Sequence, residues 1–208
     1  GMALGILAAW KARTPIDFGA LGFSLLAWSL PTFWLGIILL FWGSTYLGLP
    51  IGGKLTPGMS YANAWEYLWD LGRHLFLPTL TYTIVFLGEY MLIMRSSLVE
   101  VLSEDYVLTA KAKGLGDRVI ITRHMLRNAL IPVMTIMGPA LAGLITGSFI
   151  IETMFGFPGS GREYVTAIGN RDYSMIMGTT LIYALLIVVA NLTVDIMYGF
   201  LDSRIKVK

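Results

Sequence analysis

Residues 18–53 read FGALGFSLLAWSLPTFWLGIILLFWGSTYLGLPIGG, a stretch without one charged side chain. A helix needs about 20 apolar residues to cross a hydrocarbon core, and the densest part, 21–43, is long enough, so the chain is expected to span a membrane there. Working outward, three further apolar stretches have the same length: 75–94, interrupted only by Glu89, then 129–151 and 173–194. Residues 1–10 are apolar but too short to cross, and read as the end of a helix begun upstream in a chain truncated at its N-terminus. Glycine and proline recur inside the spans (Pro31, Gly36, Pro78, Pro139, Gly143, Gly178), as membrane helices tolerate when neighbours re-satisfy the freed backbone groups. Hydrophobic residues are 56% and charged residues 13% of the chain, against about 25% charged in soluble domains. The expected fold is an all-α, polytopic transmembrane bundle with four full spans plus the end of a fifth.

Orientation follows from the basic residues, which collect on the cytoplasmic side of membrane proteins. Eleven of the fifteen Lys and Arg fall on one side: Lys11, Arg13, Arg95, Lys111, Lys113, Arg118, Arg123, Arg127, Arg204, Lys206 and Lys208. Lys54, Arg73, Arg162 and Arg171 fall on the other. The first side is expected to be cytoplasmic, and the loops 44–74 and 152–172 external, with Trp65, Tyr67 and Trp69 as interfacial anchors. A net charge of +2 is too small to suggest nucleic acid, and the absence of cysteine excludes disulfides and thiolate metal sites. No cofactor is expected. A glycine-rich run, Gly48 to Lys54, nearly matches a phosphate-binding loop, but Leu55 stands where a magnesium-binding hydroxyl is required.

The longest polar stretch, 96–128, carries the signals of two short helices. Ser103 is a candidate N-cap, Glu104 and Asp105 suit a first turn, and Lys111 and Lys113 suit a last one. Gly114 then stands where a left-handed residue ends a helix. After Leu115 and Gly116, Asp117 can cap a second helix with Val119, Ile120, Leu126 and Leu130 on one face, leading toward a span that starts at Pro132. Acidic Glu100, Glu104, Asp105 and Asp117 among the bases favour a protein partner over an anionic lipid surface.

These residues also carry a family likeness. The run Arg95-Ser-Ser-Leu-Val-Glu-Val-Leu102, then Asp105-Tyr-Val107, Thr109-Ala-Lys-Ala-Lys-Gly-Leu115, and His124-Met-Leu-Arg-Asn-Ala-Leu-Ile-Pro132 closely resembles the dipeptide, oligopeptide and nickel family of bacterial and archaeal ABC importer permeases. So do Ser29 to Gly36, Glu152 to Gly161, Arg171-Asp-Tyr173, Asn191 to Asp195, Tyr198 and Leu201 to Ile205. The resemblance implies a single permease domain over 1–208, of the type I importer kind, in the plasma membrane of a bacterium or archaeon. It implies a coupling loop at 96–130 that docks on a cytoplasmic ATPase through Glu104, Asp105, Tyr106, Thr109, Ala110, Lys111, Lys113, Gly114 and Leu115. Leu108 stands where the general importer pattern has glutamate. The partners implied are a second, similar permease, two cytoplasmic ATP-binding subunits, an external solute-binding protein and the lipid bilayer, with no nucleic acid; ATP hydrolysis is expected on the separate subunits.

Glu89, Glu152 and Phe155 are candidates for the substrate path. An intramembrane acid is by default a functional group, although Glu89 could equally be neutralised by packing or by Arg95, six residues on. Asp195 reads as structural, and Gly143 with Gly147 as a stripe for close helix packing. His74 and His124 lie too far apart in topology to share a metal. A self-sufficient secondary transporter or channel would need charged groups facing each other at mid-membrane, where only Glu89 comes close. An intramembrane enzyme would need a catalytic set that the spans lack.

Overall fold

The computed structural model describes the backbone of residues 1–201 and the side-chain surroundings of residues 1–197. The motif residues Asp202 to Ile205, the side chain of Tyr198, and the bases Arg204, Lys206 and Lys208 lie outside them. The described residues form helices joined by turns and loops, without a strand. The helices are α1 (Met2–Trp10), α2 (Pro15–Ser29), α3 (Thr32–Leu47), α4 (Ala64–Val101), α5 (Asp105–Ala112), α6 (Asp117–Val119), α7 (Leu126–Thr146), α8 (Phe149–Met154), α9 (Ser160–Asn170) and α10 (Tyr173–Leu201). A π-helical segment, Ile120–Met125, joins α6 to α7.

Among the described residues three helices are long and apolar enough to cross a membrane: α4, the run Asp117–Met154, and Tyr173–Met197 within α10. A fourth span is counted if α2 and α3 together make one broken span. The stretch 21–43 is therefore not one uninterrupted helix, contrary to expectation. Pro31 is the N-cap of α3, with ψ 129°, because a proline restricts the residue before it to extended backbone and cannot donate to the preceding turn. The second span is longer than its apolar core: α4 runs for 38 residues with Pro78 inside it. Gly147 also departs from its expected role. Its φ of +80° ends α7, and Gly143 has open space at its missing Cβ, so among the described residues no helix of this chain packs on the two as a stripe.

The chain divides into two compact units. The first comprises residues 1–29, 86–141 and 187–208. Its core joins Ala9, Met94, Leu98, Val107, Ala110, Ile120, Met125, Ala129 and Val133. Helix α4 presses on α2 through Gly88, where an added Cβ would stand 2.8 Å from the Ser24 carbonyl oxygen and 3.1 Å from the Trp28 nitrogen. Beside it the Ser24 hydroxyl donates to the Met91 sulfur at 2.6 Å. Gly88→Val should therefore force the two backbones apart, at a cost of about 1–3 kcal/mol or more; a lowered unfolding temperature in detergent is the expected reading.

The second unit comprises residues 30–85 and 142–186. Leu77, Ile151 and Phe155 form its core, with Leu39, Leu40, Leu49, Tyr82 and Met154 around them. Glycines again set the approach: Gly36 receives the Met154 methyl, and Gly43 the Leu77 side chain. Of the three anchors expected on the first turns of α4, Trp65 and Trp69 are more than half exposed, while Tyr67 is half-buried and stacks edge-on to Tyr61.

Candidate functional site

The residues expected to form the coupling loop fold into a small platform within the first unit. Helix α5 starts one residue later than Ser103 suggested. Glu104 is its N-cap and makes no side-chain cap bond, while the Ser103 hydroxyl turns back to the Glu100 carbonyl at 2.7 Å. The end of α5 matches expectation closely. Gly114 has φ +74°, its N–H donates to the Lys111 carbonyl at 2.9 Å, and the Leu115 N–H to the Ala110 carbonyl at 3.3 Å. A left-handed glycine of this kind closes a helix by satisfying its orphan carbonyls.

One side of α5 is fixed and the other is free. Val107 is fully buried and Ala110 nearly so, on the ends of α4 and α7. The Tyr106 hydroxyl accepts from the Asn128 amide at 2.8 Å, tying α5 to the first turn of α7. Glu104, Asp105, Thr109, Lys111, Lys113, Gly114 and Leu115 are exposed, as are Tyr106 at 36% and Leu108 at 52%. Ala110 thus serves the anchor and not the free face. Leu108, noted in the sequence only for replacing a glutamate, adds the largest exposed apolar surface of α5. Lys111 and Asp117 border a cleft of about 240 Å³ whose floor includes Leu98, Ile120 and Met125.

The link from loop to span differs from expectation in two ways. Gly116 is the N-cap of α6, so Asp117 is its first residue and not its cap, and Pro132 lies inside α7 and not at its start. The buried stripe is Ile120, Met125, Ala129 and Val133, while Val119 is 39% exposed. The spacing runs five, four, four. A π turn closes through i→i+5 bonds and adds a residue to the helix, so a face chosen at strict α spacing rotates off the core across 120–125.

The remaining candidates sit apart from this platform. Glu89, in the first unit, is half-buried and makes no hydrogen bond or ion pair within the described residues. Arg95 does not neutralise it. Arg95 instead pairs with Asp17, Nε to Oδ1 at 2.5 Å and Nη2 to Oδ2 at 2.7 Å. In the second unit Glu152 accepts the Arg162 backbone N–H at 2.9 Å and lies against Gly147 and Gly159, a structural clamp and not a solvated charge. Phe155 is 2% exposed in that unit's core. His124 is exposed, and His74 is buried with its Nδ1 2.8 Å from the Asp70 carbonyl.

Sequence reasoning passed over two acids. Asp17 is 1% and Asp70 5% exposed. Asp70 accepts from the Thr56 N–H, the Thr56 hydroxyl and the Tyr61 hydroxyl, each at 2.7 Å, which pins the loop 48–63 to α4. The hydrogen bond to the Asp70 carboxylate pushes the Tyr61 phenol up to about 12. A signal for Asp17 was present in the sequence: a lone acid at the edge of a long apolar run requires a partner.

Residues 1–207 match a family model described as binding-protein-dependent transport system inner membrane component. The chain belongs to this family. Relatives among characterised family members include the dipeptide transport system permease protein DppB of Bacillus subtilis, 39% identical over 206 residues, and that of Haemophilus influenzae, 41% identical over 219 residues. The oligopeptide transport system permease protein OppB of Haemophilus influenzae is 38% identical over 209 residues. The alignments cover 99% of this chain and 62%, 66% and 63% of those proteins, so the chain spans less than two thirds of their length. Membership of this inner-membrane permease family bears out the likeness read from the motifs and the all-α membrane fold it implied.

Proposed function

We propose that this chain forms the transmembrane permease domain, over 1–208, of an ATP-driven importer for peptides or related small solutes, with nickel as a further candidate. The observation that carries the reading is α5: a short helix, closed by Gly114 and anchored through Val107, Ala110 and Tyr106, that presents its other face to a partner. The partner in this reading is a cytoplasmic ATP-binding subunit, present in two copies. A second, similar permease and an external solute-binding protein complete the assembly, in the plasma membrane of a bacterium or archaeon. The relatives, dipeptide and oligopeptide transport system permease proteins, support the substrate class.

In this mechanism the permease performs no covalent chemistry. Closure of the ATP-binding subunits moves α5, and the motion passes into the ends of α4 and α7 as a rigid-body displacement that biases two states of the pathway. Glu89, Glu152 and Phe155 remain the proposed path residues, of which Glu89 is the one with an uncommitted carboxylate. The test is reconstitution into liposomes. The purified chain alone is expected to hydrolyse no ATP, and solute uptake is expected only when ATP-binding subunits and a solute-binding protein are added. Uptake by the chain alone, driven by an ion gradient, would overturn the reading in favour of a secondary transporter.

A further inference from the structure

Asp17 and Arg95 form an ion pair between α2 and α4. Both lie in the first unit. Asp17, in the first turn of α2, is 1% exposed. Its Oδ2 takes a second bond, from the Arg13 backbone N–H at 2.8 Å, and Arg13 sits at the α1–α2 corner with φ +66°, a conformation costly for a side chain other than glycine. One carboxylate thus fixes the corner, the start of α2 and the stem of α4. Arg95 lies in the last two turns of α4, which leads through a short turn into α5.

Apart from the Ser24–Met91 bond and the Gly88 contact with α2, the core around that stem is apolar. Met94, Leu98, Val107 and Ala9 pack there without directional bonds. A two-pronged guanidinium–carboxylate pair, in contrast, fixes both distance and plane. The strained Arg13 backbone persists because Asp17 holds it.

We infer that Asp17 and Arg95 are positioning residues for energy coupling: their pair makes the α1–α2 corner and the stem of the coupling loop move as one lever, so that displacement of α5 reaches the spans and is not absorbed by slip at the stem. The inference rests on the permease reading above. Loss of the pair leaves α5 able to dock and the ATP-binding subunits able to close, and it uncouples that closure from solute movement.

The experiment reconstitutes the complete transporter in liposomes and measures ATP hydrolysis and uptake of a labelled dipeptide mixture in the same sample. Asp17→Asn and Arg95→Gln are expected to hydrolyse ATP while dipeptide taken up per ATP falls about fivefold or more, the lower range of a coupling free energy. Arg95→Lys, which keeps the charge and one bond, should give an intermediate ratio. Because a single variant strands a buried charge and can lose the fold, the double variant Asp17→Asn/Arg95→Gln is included; it strands none, and the same fall in ratio is expected. A double variant with the wild-type ratio overturns the inference, and so do single variants whose assembled fraction keeps the wild-type ratio, since the pair is then only a fastening for the fold. Wild-type transporter without ATP-driven uptake sinks the permease reading itself, and this inference with it.

Discussion

Uptake is expected to fall to background in Gly114→Pro, with membrane insertion unchanged. Proline holds φ near −65°, and Gly114 stands at +74°, so the substitution cannot keep the turn that closes α5. It also removes the N–H that satisfies the Lys111 carbonyl. Helix α5 then loses its end, and Lys113 and Leu115 lose their positions on the free face. Nothing in the spans touches Gly114, whose surroundings are open, so chain accumulating in the membrane at normal level is part of the prediction. Deletion of 103–114 should behave alike. Normal uptake in either variant, at normal expression, would defeat the assignment of α5 as the docking element.

The second large effect is expected at Asp70. Asp70→Ala removes the acceptor of three bonds at once and leaves the Thr56 N–H and two hydroxyls to find water. Hydrogen bonds to a charged group are worth more than neutral ones, and the loop 48–63 has few other ties to the helices. The Gly53 N–H to the Phe155 carbonyl at 2.9 Å and the Arg73 guanidinium to the Gly48 carbonyl at 2.5 Å are two of them. Protease cleavage within 48–63 should accelerate about tenfold or more, since cleavage follows the population of the open loop. Tyr61 offers a second readout. Its phenol is raised to about 12 in the folded protein. A raised folded value means the tie through the protonated phenol is fully present below the unfolded value near 10 and is lost as pH rises through about 12. In Asp70→Ala the Tyr61 absorbance change should move down toward 10. An unchanged titration would show that Asp70 does not hold the phenol.

The spans and the short helix α5 were legible because both rest on strong one-dimensional signals. A run of apolar residues long enough to cross a bilayer has few other uses, and Gly114 follows a short helix with bases in its last turn, where a left-handed residue is needed. What escaped depended on partners distant in sequence. Asp17 and Arg95 are 78 positions apart, so nothing local distinguishes Arg95 pairing with Asp17 from Arg95 neutralising Glu89. Asp70 looked like one more polar residue near a loop, and its role appears only when Thr56 and Tyr61 fold back on it. Phe155 and Glu152 were drawn to the substrate path by their motif, but the structure gives each local work first, in the core and in the α8–α9 clamp. The helix break at Pro31 is a third kind of case: the signal was plain, but the tolerance of membrane helices for proline outweighed the restriction proline sets on the residue before it.

The surplus residue between Ile120 and Met125 has a consequence for divergence within the family. The wider π turn takes up one extra residue while Ile120 and Met125 keep a single buried face, so removing one position there would return the segment to ordinary α spacing without rotating α7 away from Val107 and Ala110. The joint is therefore a place where chain length can change by one residue while the core stays in register.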